Sequence, residues 1–182
     1  MILYHGTTKD FDKFEISEKH LSTSSKDNLA EGMGIYFADN REFVESYGNI
    51  IYTVEMDEKD CWNFTEKATI ENFISTIAKK VNFPIRSFMS EGSITGILEG
   101  DISIRNFSRE IMLQLDSHES FYLELGEKDS DELFDEITEE YNKMLYSKRF
   151  FKYFDKSFKS VIYLCTNNED TVKIISKERV ED

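Results

Sequence analysis

The apolar positions of the chain change their period twice. Near the start, "MILYH" (1–5) and "GIYFA" (34–38) are short β-branched and aromatic runs, and "NIIYTVEM" (49–56) sets Ile51, Thr53 and Glu55 against Tyr52, Val54 and Met56. A two-residue repeat of this kind belongs to a strand whose side chains alternate between faces. Between these runs "DNREFVESYG" (39–48) holds Phe43, Val44 and Tyr47 at three- and four-residue spacing. That spacing predicts one short helix, with Asp39 or Asn40 to cap its start and Gly48 to end it.

From residue 69 the repeat lengthens. "TIENFISTIAKKV" (69–81) places Ile70, Phe73, Ile74, Ile77, Ala78 and Val81 on one helical stripe, and Pro84, the only proline, stands just beyond it. A looser stretch with Gly92, Gly96 and Gly100 follows. "NFSREIMLQLDSH" (106–118) then resumes helical spacing, and "FYLELG" (121–126) reads as a short strand or as the end of that helix. "DSDELFDEITEEYNKML" (129–145) predicts another helix, with Asp129 and Glu132 as a capping box and Leu133, Phe134, Ile137, Tyr141, Met144 and Leu145 on one side. Its acidic front half and the basic continuation "KRFFKYFDKSFK" (148–159) complement the helix dipole. The period returns to two in "SVIYLC" (160–165) and "TVKIIS" (171–176), and the polar "TNNED" between them predicts a hairpin.

Strands, a helical block and strands again predict an α+β domain whose terminal strands meet in one sheet, across a mainly helical insertion at about residues 65–150. No internal repeat or linker-like stretch divides the 182 residues, so the chain reads as a single domain, 1–182, with room for a substantial core.

Composition narrows the partners. Acidic residues outnumber basic ones 36 to 22, and the net charge of -14 repels phosphate backbones. A protein partner is therefore expected ahead of a nucleic acid. The basic aromatic run "SKRFFKYFDKSFKS" has the composition to stack bases, but an amphipathic helix end burying its phenylalanines explains the same residues and is the preferred reading. Cys61 and Cys165 form no CxxC pair, which indicates neither a zinc site nor a disulfide framework. His20 and His118 have no second histidine at metal spacing, so no metal is expected. The opening residues carry no basic leader and no run is long enough to span a bilayer, which leads to the expectation of a cytoplasmic protein without a membrane partner.

"GMGIYF" (32–37) leads into a strand where a dinucleotide-binding turn would leave one, and no phosphate loop is present. The ordered set "LYHGTT", "GMGIYFADNREFVESYG" and "IIYTVEM" does, however, resemble the ADP-ribosyltransferase superfamily of the diphtheria-toxin and poly-ADP-ribose polymerase type. The resemblance covers about the first third of the chain in order and spacing. It implies a split antiparallel sheet carrying a His-Tyr-Glu arrangement, with NAD as substrate and no metal.

Carried over residue by residue, it makes His5 the partner of the adenosine ribose and Gly6 the backbone contact of the nicotinamide carboxamide. Thr7 joins them in the NAD site. Tyr36 becomes the triad tyrosine, and Tyr47, eleven positions on, covers the other side of the nicotinamide ring. The implied activity is mono-ADP-ribosyl transfer to a macromolecular, preferably protein, acceptor, as in toxins and phage or bacterial effectors. The alternatives are a non-catalytic acidic binding protein on the same fold and an NAD hydrolase.

"LSTSS" (21–25) echoes a branch of NAD-using transferases that also needs an arginine on the first strand; His5 stands there instead, and a polar loop or cap is the simpler reading. The third member of the arrangement departs from the pattern. At the start of "SVIYLC", where the family has a glutamate, this chain has Lys159 and Ser160. Glu169, opening "EDTVKIIS" and sharing a face with Thr171, Lys173 and Ile175, is the preferred substitute, with Asp155 and Asp60 as alternatives. The site as a whole requires the imidazole of His5 and the rings of Tyr36 and Tyr47 to converge on one cleft.

Overall fold

The computed structural model describes residues 1–15, 34–82, 91–103, 130–166 and 172–180. Their strands are β1 (Ile2–Thr7), β2 (Ile35–Ala38), β3 (Ile50–Met56), β4 (Cys61–Asn63), β5 (Phe150–Asp155), β6 (Ser160–Cys165) and β7 (Val172–Arg179), joined in one sheet in the order β4-β5-β6-β2-β1-β3-β7. The described helices are α1 (Arg41–Glu45), α2 (Lys67–Lys80), α3 (Glu91–Leu98) and α4 (Ser130–Leu145). The fold is α+β. Both ends of the chain contribute to one sheet, as the strand-helix-strand order anticipates.

Apolar side chains cover both sides of the sheet. On one side Phe73, Ile74 and Ile77 of α2, Ile94 and Ile97 of α3, and Ile137 and Tyr141 of α4 pack on Ile51, Phe151, Ile162 and Leu164. On the other, Leu3, Phe37, Tyr52, Val54, Phe150 and Tyr163 form a second cluster closed by Phe14. Removing this much apolar surface from water is the main favourable term for a chain of this size.

Three expectations are corrected by the topology. The sheet is mixed, because β4 runs parallel to β5, and a parallel neighbour needs the long crossover that the helical block provides. "SVIYLC" and "TVKIIS" do not form a hairpin: β6 lies between β5 and β2, whereas β7 pairs with β3 at the far edge. The run "KRFFKYF" is no helix end but the start of β5. Phe150 and Phe151 are both fully buried there on opposite faces, so the alternation that marks a half-exposed strand is erased. The glycine-bearing stretch also differs, since Gly92 and Gly96 lie within α3. A side chain at Gly96 would meet Ile102, at 2.7 Å from its Cδ1, so the glycine makes room for the chain that follows the helix. No helix among the described residues is long and apolar enough to cross a membrane.

One junction in the sheet is unlike the others. β1 pairs with β3 through six consecutive residues and β2 with β6 through four, but β1 and β2 pair at Tyr4 and Ala38 alone. The sheet therefore consists of two halves, β4-β5-β6-β2 and β1-β3-β7, held together at a single point of register.

Candidate functional site

The main chain of Met1 exchanges two hydrogen bonds with Met56, its ammonium donating to the Met56 carbonyl (2.8 Å) and its carbonyl accepting from the Met56 N–H (3.0 Å). Antiparallel ladders alternate, so Leu3, His5 and Thr7 turn their backbone groups toward β3, and Ile2, Tyr4 and Gly6 turn theirs toward β2. Tyr4 meets Ala38. The next pair in register is Gly6 with Tyr36, and it is absent from the pairing of the two strands. The strands open there, leaving the β2-facing edge of Gly6 outside the ladder.

His5 spans the opening. Its Nδ1–H donates to the Tyr36 carbonyl at 2.8 Å, supplying the hydrogen bond that a strand partner would have given. Donation to a carbonyl fixes the tautomer and leaves Nε2 as an acceptor in the neutral ring. The ring is enclosed by Phe14 (centroids 5.2 Å apart), Phe37 (5.6 Å), Phe11 (6.2 Å) and Tyr52 (6.4 Å). Burial among them lowers the His5 pKa below its ordinary value, against the opposing pull of the Tyr36 carbonyl. Phe11 is tied down in turn, stacking on Tyr52 and exchanging main-chain hydrogen bonds of 2.8 Å with its hydroxyl.

The tyrosines lie on the other side. Tyr36 pairs with Leu164 and packs on the helical cluster, whereas its neighbour Phe37 belongs to the cluster around His5. Side chains of consecutive strand residues leave opposite faces, so the imidazole of His5 meets the backbone of Tyr36 and not its phenol. The three rings do not share one cleft in the simple sense that their order in the sequence suggests. The convergence of the three rings that the resemblance requires is therefore not met.

Helix α1 lies on the Tyr36 face. Its start is capped by Asn40, which accepts from the Phe43 N–H at 3.4 Å. Its Val44 carbonyl sits so close to Gly6 that a β-carbon there would come within 1.8 Å of it. Gly48, just past the helix, is equally pressed on Thr7, where a β-carbon would lie 2.1 Å from the carbonyl carbon. Gly6 thus lets α1, rather than a ligand, approach on its side-chain face. Thr7 uses its hydroxyl locally, accepting from the Lys9 N–H at 3.1 Å. Tyr47 follows α1 and remains 41% exposed, standing edge-on to Phe43 with centroids 5.1 Å apart. Desolvation and, secondarily, the Asp155 carboxylate raise its phenol pKa.

No protein-family model and no curated protein matches this chain. Among solved structures it is similar to an anti-CRISPR protein. The two are 14% identical over 99% of this chain and 95% of the other, at a TM-score of 0.41, a likeness too distant to carry an argument.

Of the acids proposed for the third role, Glu169 lies outside the described residues, as do His20, His118 and "LSTSS". Asp60 precedes β4 at the outer edge of the sheet and is bound by Lys148 at 2.7 Å, which holds its carboxyl below the usual range. Asp155 ends β5, directly across from Ser160. Asp39, which the sequence suggests only as a helix cap, reaches β6 instead: its Oδ1 accepts from the Ser160 hydroxyl (2.7 Å) and the Val161 N–H (3.1 Å). Its signal in the sequence was its place at the end of "GIYFAD", directly after a strand. Among the described residues no group of three or more His, Cys, Asp or Glu is placed to hold a metal ion.

Proposed function

We propose that this protein is a mono-ADP-ribosyltransferase with an ADP-ribosyltransferase-like split sheet, acting on NAD and on a protein acceptor. The observation that carries this reading is the opening between β1 and β2: a strand edge at Gly6 outside the ladder, spanned by His5, with α1 packed on Gly6 and followed directly by the exposed Tyr47. A backbone N–H and C=O side by side suit a primary carboxamide, which offers the matching acceptor and donor. The exposed phenol of Tyr47 is the flat surface that the reading assigns to a pyridinium ring, at small entropic cost.

Chemically, the bond from nicotinamide nitrogen to ribose C1′ breaks with its electron pair going to nicotinamide. Positive charge develops on the sugar, and the acceptor's lone pair forms the new bond to C1′ as its proton departs to solvent or a base. A leaving-group pocket and a nearby carboxylate are the groups that lower such a barrier. The net charge of -14 favours a protein acceptor over a nucleic acid.

The reading is tested by incubating the protein with labelled NAD and a cell lysate. Labelled protein and free nicotinamide are expected from the wild type, and neither from Tyr47→Ala, whose partly exposed position makes misfolding a poor explanation of the loss. Unchanged labelling in Tyr47→Ala and Tyr36→Phe together would reject the site. Nicotinamide release without a labelled protein would identify a hydrolase. A second reading, a non-catalytic acidic binding protein, draws on one feature: the strand position of the family's glutamate is Ser160, buried and bonded to Asp39. Calorimetry with NAD showing no binding would favour it.

A further inference from the structure

We propose that residues 8–14 form a strap whose seating is coupled to a proton on His5: the strap stays down while the ring is neutral and comes away when Nε2 takes up a proton from solvent. The inference does not depend on the transferase reading. It concerns how the opening between β1 and β2 is held, whatever enters it.

Four contacts seat the strap. Tyr52 stands directly across the ladder from His5 and is fully buried, and its hydroxyl acts as a strand partner for Phe11, accepting from the Phe11 N–H and donating to the Phe11 carbonyl, both at 2.8 Å. The Phe11 ring lies flat on that of Tyr52, with centroids 4.4 Å apart and planes 5° from parallel. Buried Phe14 meets Phe37 and Tyr52 edge-on, at 5.1 and 5.5 Å. Lys177 of β7 adds an ionic latch: its ammonium binds Asp10, lies 3.7 Å from Asp12 and stands 5.9 Å from the centre of the Tyr52 ring.

The same residues make the box around His5. Phe11 and Phe14 of the strap, Phe37 of β2 and Tyr52 of β3 surround the imidazole, and Tyr52 is the only titratable side chain among them. Among the described residues Nε2 has no hydrogen-bond partner. A proton there creates a charge and an N–H donor inside an aromatic box that offers neither a carboxylate nor water, and burial already sets the ring against that charge. The charged groups on and beside the strap are Lys9, Asp10, Asp12 and Lys13, with Lys177 and Arg179 of β7. The latch itself keeps its charges near neutrality, because Lys177 holds the Asp10 carboxyl below its usual range and Asp10 holds the Lys177 ammonium above its own.

Seating is therefore fully favoured above the pKa of a free histidine, about 6.5, and weakens as the pH falls below it. Release takes Phe11 and Phe14 off the ring, gives Nε2–H access to water and frees the imidazole from the Tyr36 carbonyl. The strap leaves β1 at Thr7, one residue past Gly6, so its release widens the opening at that edge.

The test follows amide hydrogen exchange residue by residue, corrected for intrinsic rates, from about pH 7.5 to about pH 5, together with the titration of the His5 ring by NMR. Between about pH 6.5 and the pH at which His5 titrates, protection of the Phe11 amide is expected to fall about tenfold per pH unit, while the Ile51 and Val54 amides of β3 keep theirs. In His5→Gln, whose side-chain amide can still donate to the Tyr36 carbonyl, that slope should vanish. Tyr52→Phe keeps the stacked ring but removes the hydroxyl, so the Phe11 amide should lose about tenfold or more of its protection at every pH, and His5 should titrate nearer its ordinary range. Phe11 protection that ignores pH in the wild type, or the same slope in His5→Gln, would overturn the coupling. So would a His5 titration unmoved by Tyr52→Phe. Protection lost from Ile51 and Val54 in step with Phe11 would overturn it as well, because the strap would then open only with the whole fold. Should Tyr52→Phe melt early, Lys177→Gln, which breaks the latch at an exposed position, takes its place with the same expected directions and the same grounds for rejection. No readout involves NAD or nicotinamide, so the coupling and the transferase reading fail separately.

Discussion

β1 has two flanks, and they are opposites. Toward β3 it is paired along its whole length, from Ile2 with Glu55 to Thr7 with Ile50, and the residues behind that ladder, Ile51, Tyr52 and Val54, are fully buried. Toward β2 it is joined at one pair, and beyond that pair a histidine side chain does the work of a strand. A closed ladder satisfies every backbone group and offers nothing to a ligand. An open one leaves strongly polar groups that must find partners in side chains, water or a bound molecule. Stability is therefore concentrated on the β3 flank and chemical opportunity on the β2 flank.

Mutations should separate the two. The largest loss of stability is expected on the closed flank: Ile51→Ala empties a fully buried position and should cost about 2–5 kcal/mol in denaturant unfolding. Gly6→Ala comes next. Its β-carbon would strike the backbone of α1 rather than a side chain able to swing away, so a loss of ~1–3 kcal/mol is expected, together with loss of NAD binding as α1 is displaced. A Gly6→Ala protein as stable as wild type would mean that α1 is not anchored on β1 as described.

His5→Gln should follow, with a signature of its own. The folded protein holds the ring neutral, so the unfolded chain binds the proton more readily. Stability from this group is complete above the unfolded pKa of about 6.5 and falls as the pH drops below it. The difference in stability between wild type and His5→Gln should therefore shrink on acidification below that pH; a constant difference would show that the ring is not held neutral.

The smallest stability effect belongs to the open flank. Tyr47→Ala should change stability by less than about 1 kcal/mol while abolishing nicotinamide release. A Tyr47→Ala variant that unfolds readily would erase the distinction between the flanks.

Much of this was legible in the chain. The stripe of Ile70, Phe73, Ile74 and Ile77 and that of Leu133, Ile137, Tyr141 and Met144 marked α2 and α4, because a helix with one buried face must repeat near 3.6 residues. Strand β5 was hidden for the converse reason. With a core on each side of the sheet, Phe150 and Phe151 are both buried, and the polar half of the alternation that distinguishes a strand never appears. The pairing of β7 with β3 was equally out of reach, since a short polar connection resembles a hairpin whether or not the strands it joins are neighbours.

For the site, the resemblance to a family picked out His5, Gly6, Tyr36 and Tyr47 as a set, and local rules bracketed the cap of α1 between Asp39 and Asn40. The alternation of strand side chains then assigned faces only once the register was known. That register sent His5 and Tyr36 to opposite sides, directed Asp39 to β6 and brought Asp155 across from Ser160. Periodicity is a property of a segment with its surroundings averaged out, and so the sequence alone determined the elements with one buried face, such as α2 and α4, and where the unusual residues stood. Which strand lies beside which depends on long-range pairing that leaves no local trace, and only the tertiary structure decided that β1 and β2 part at Gly6.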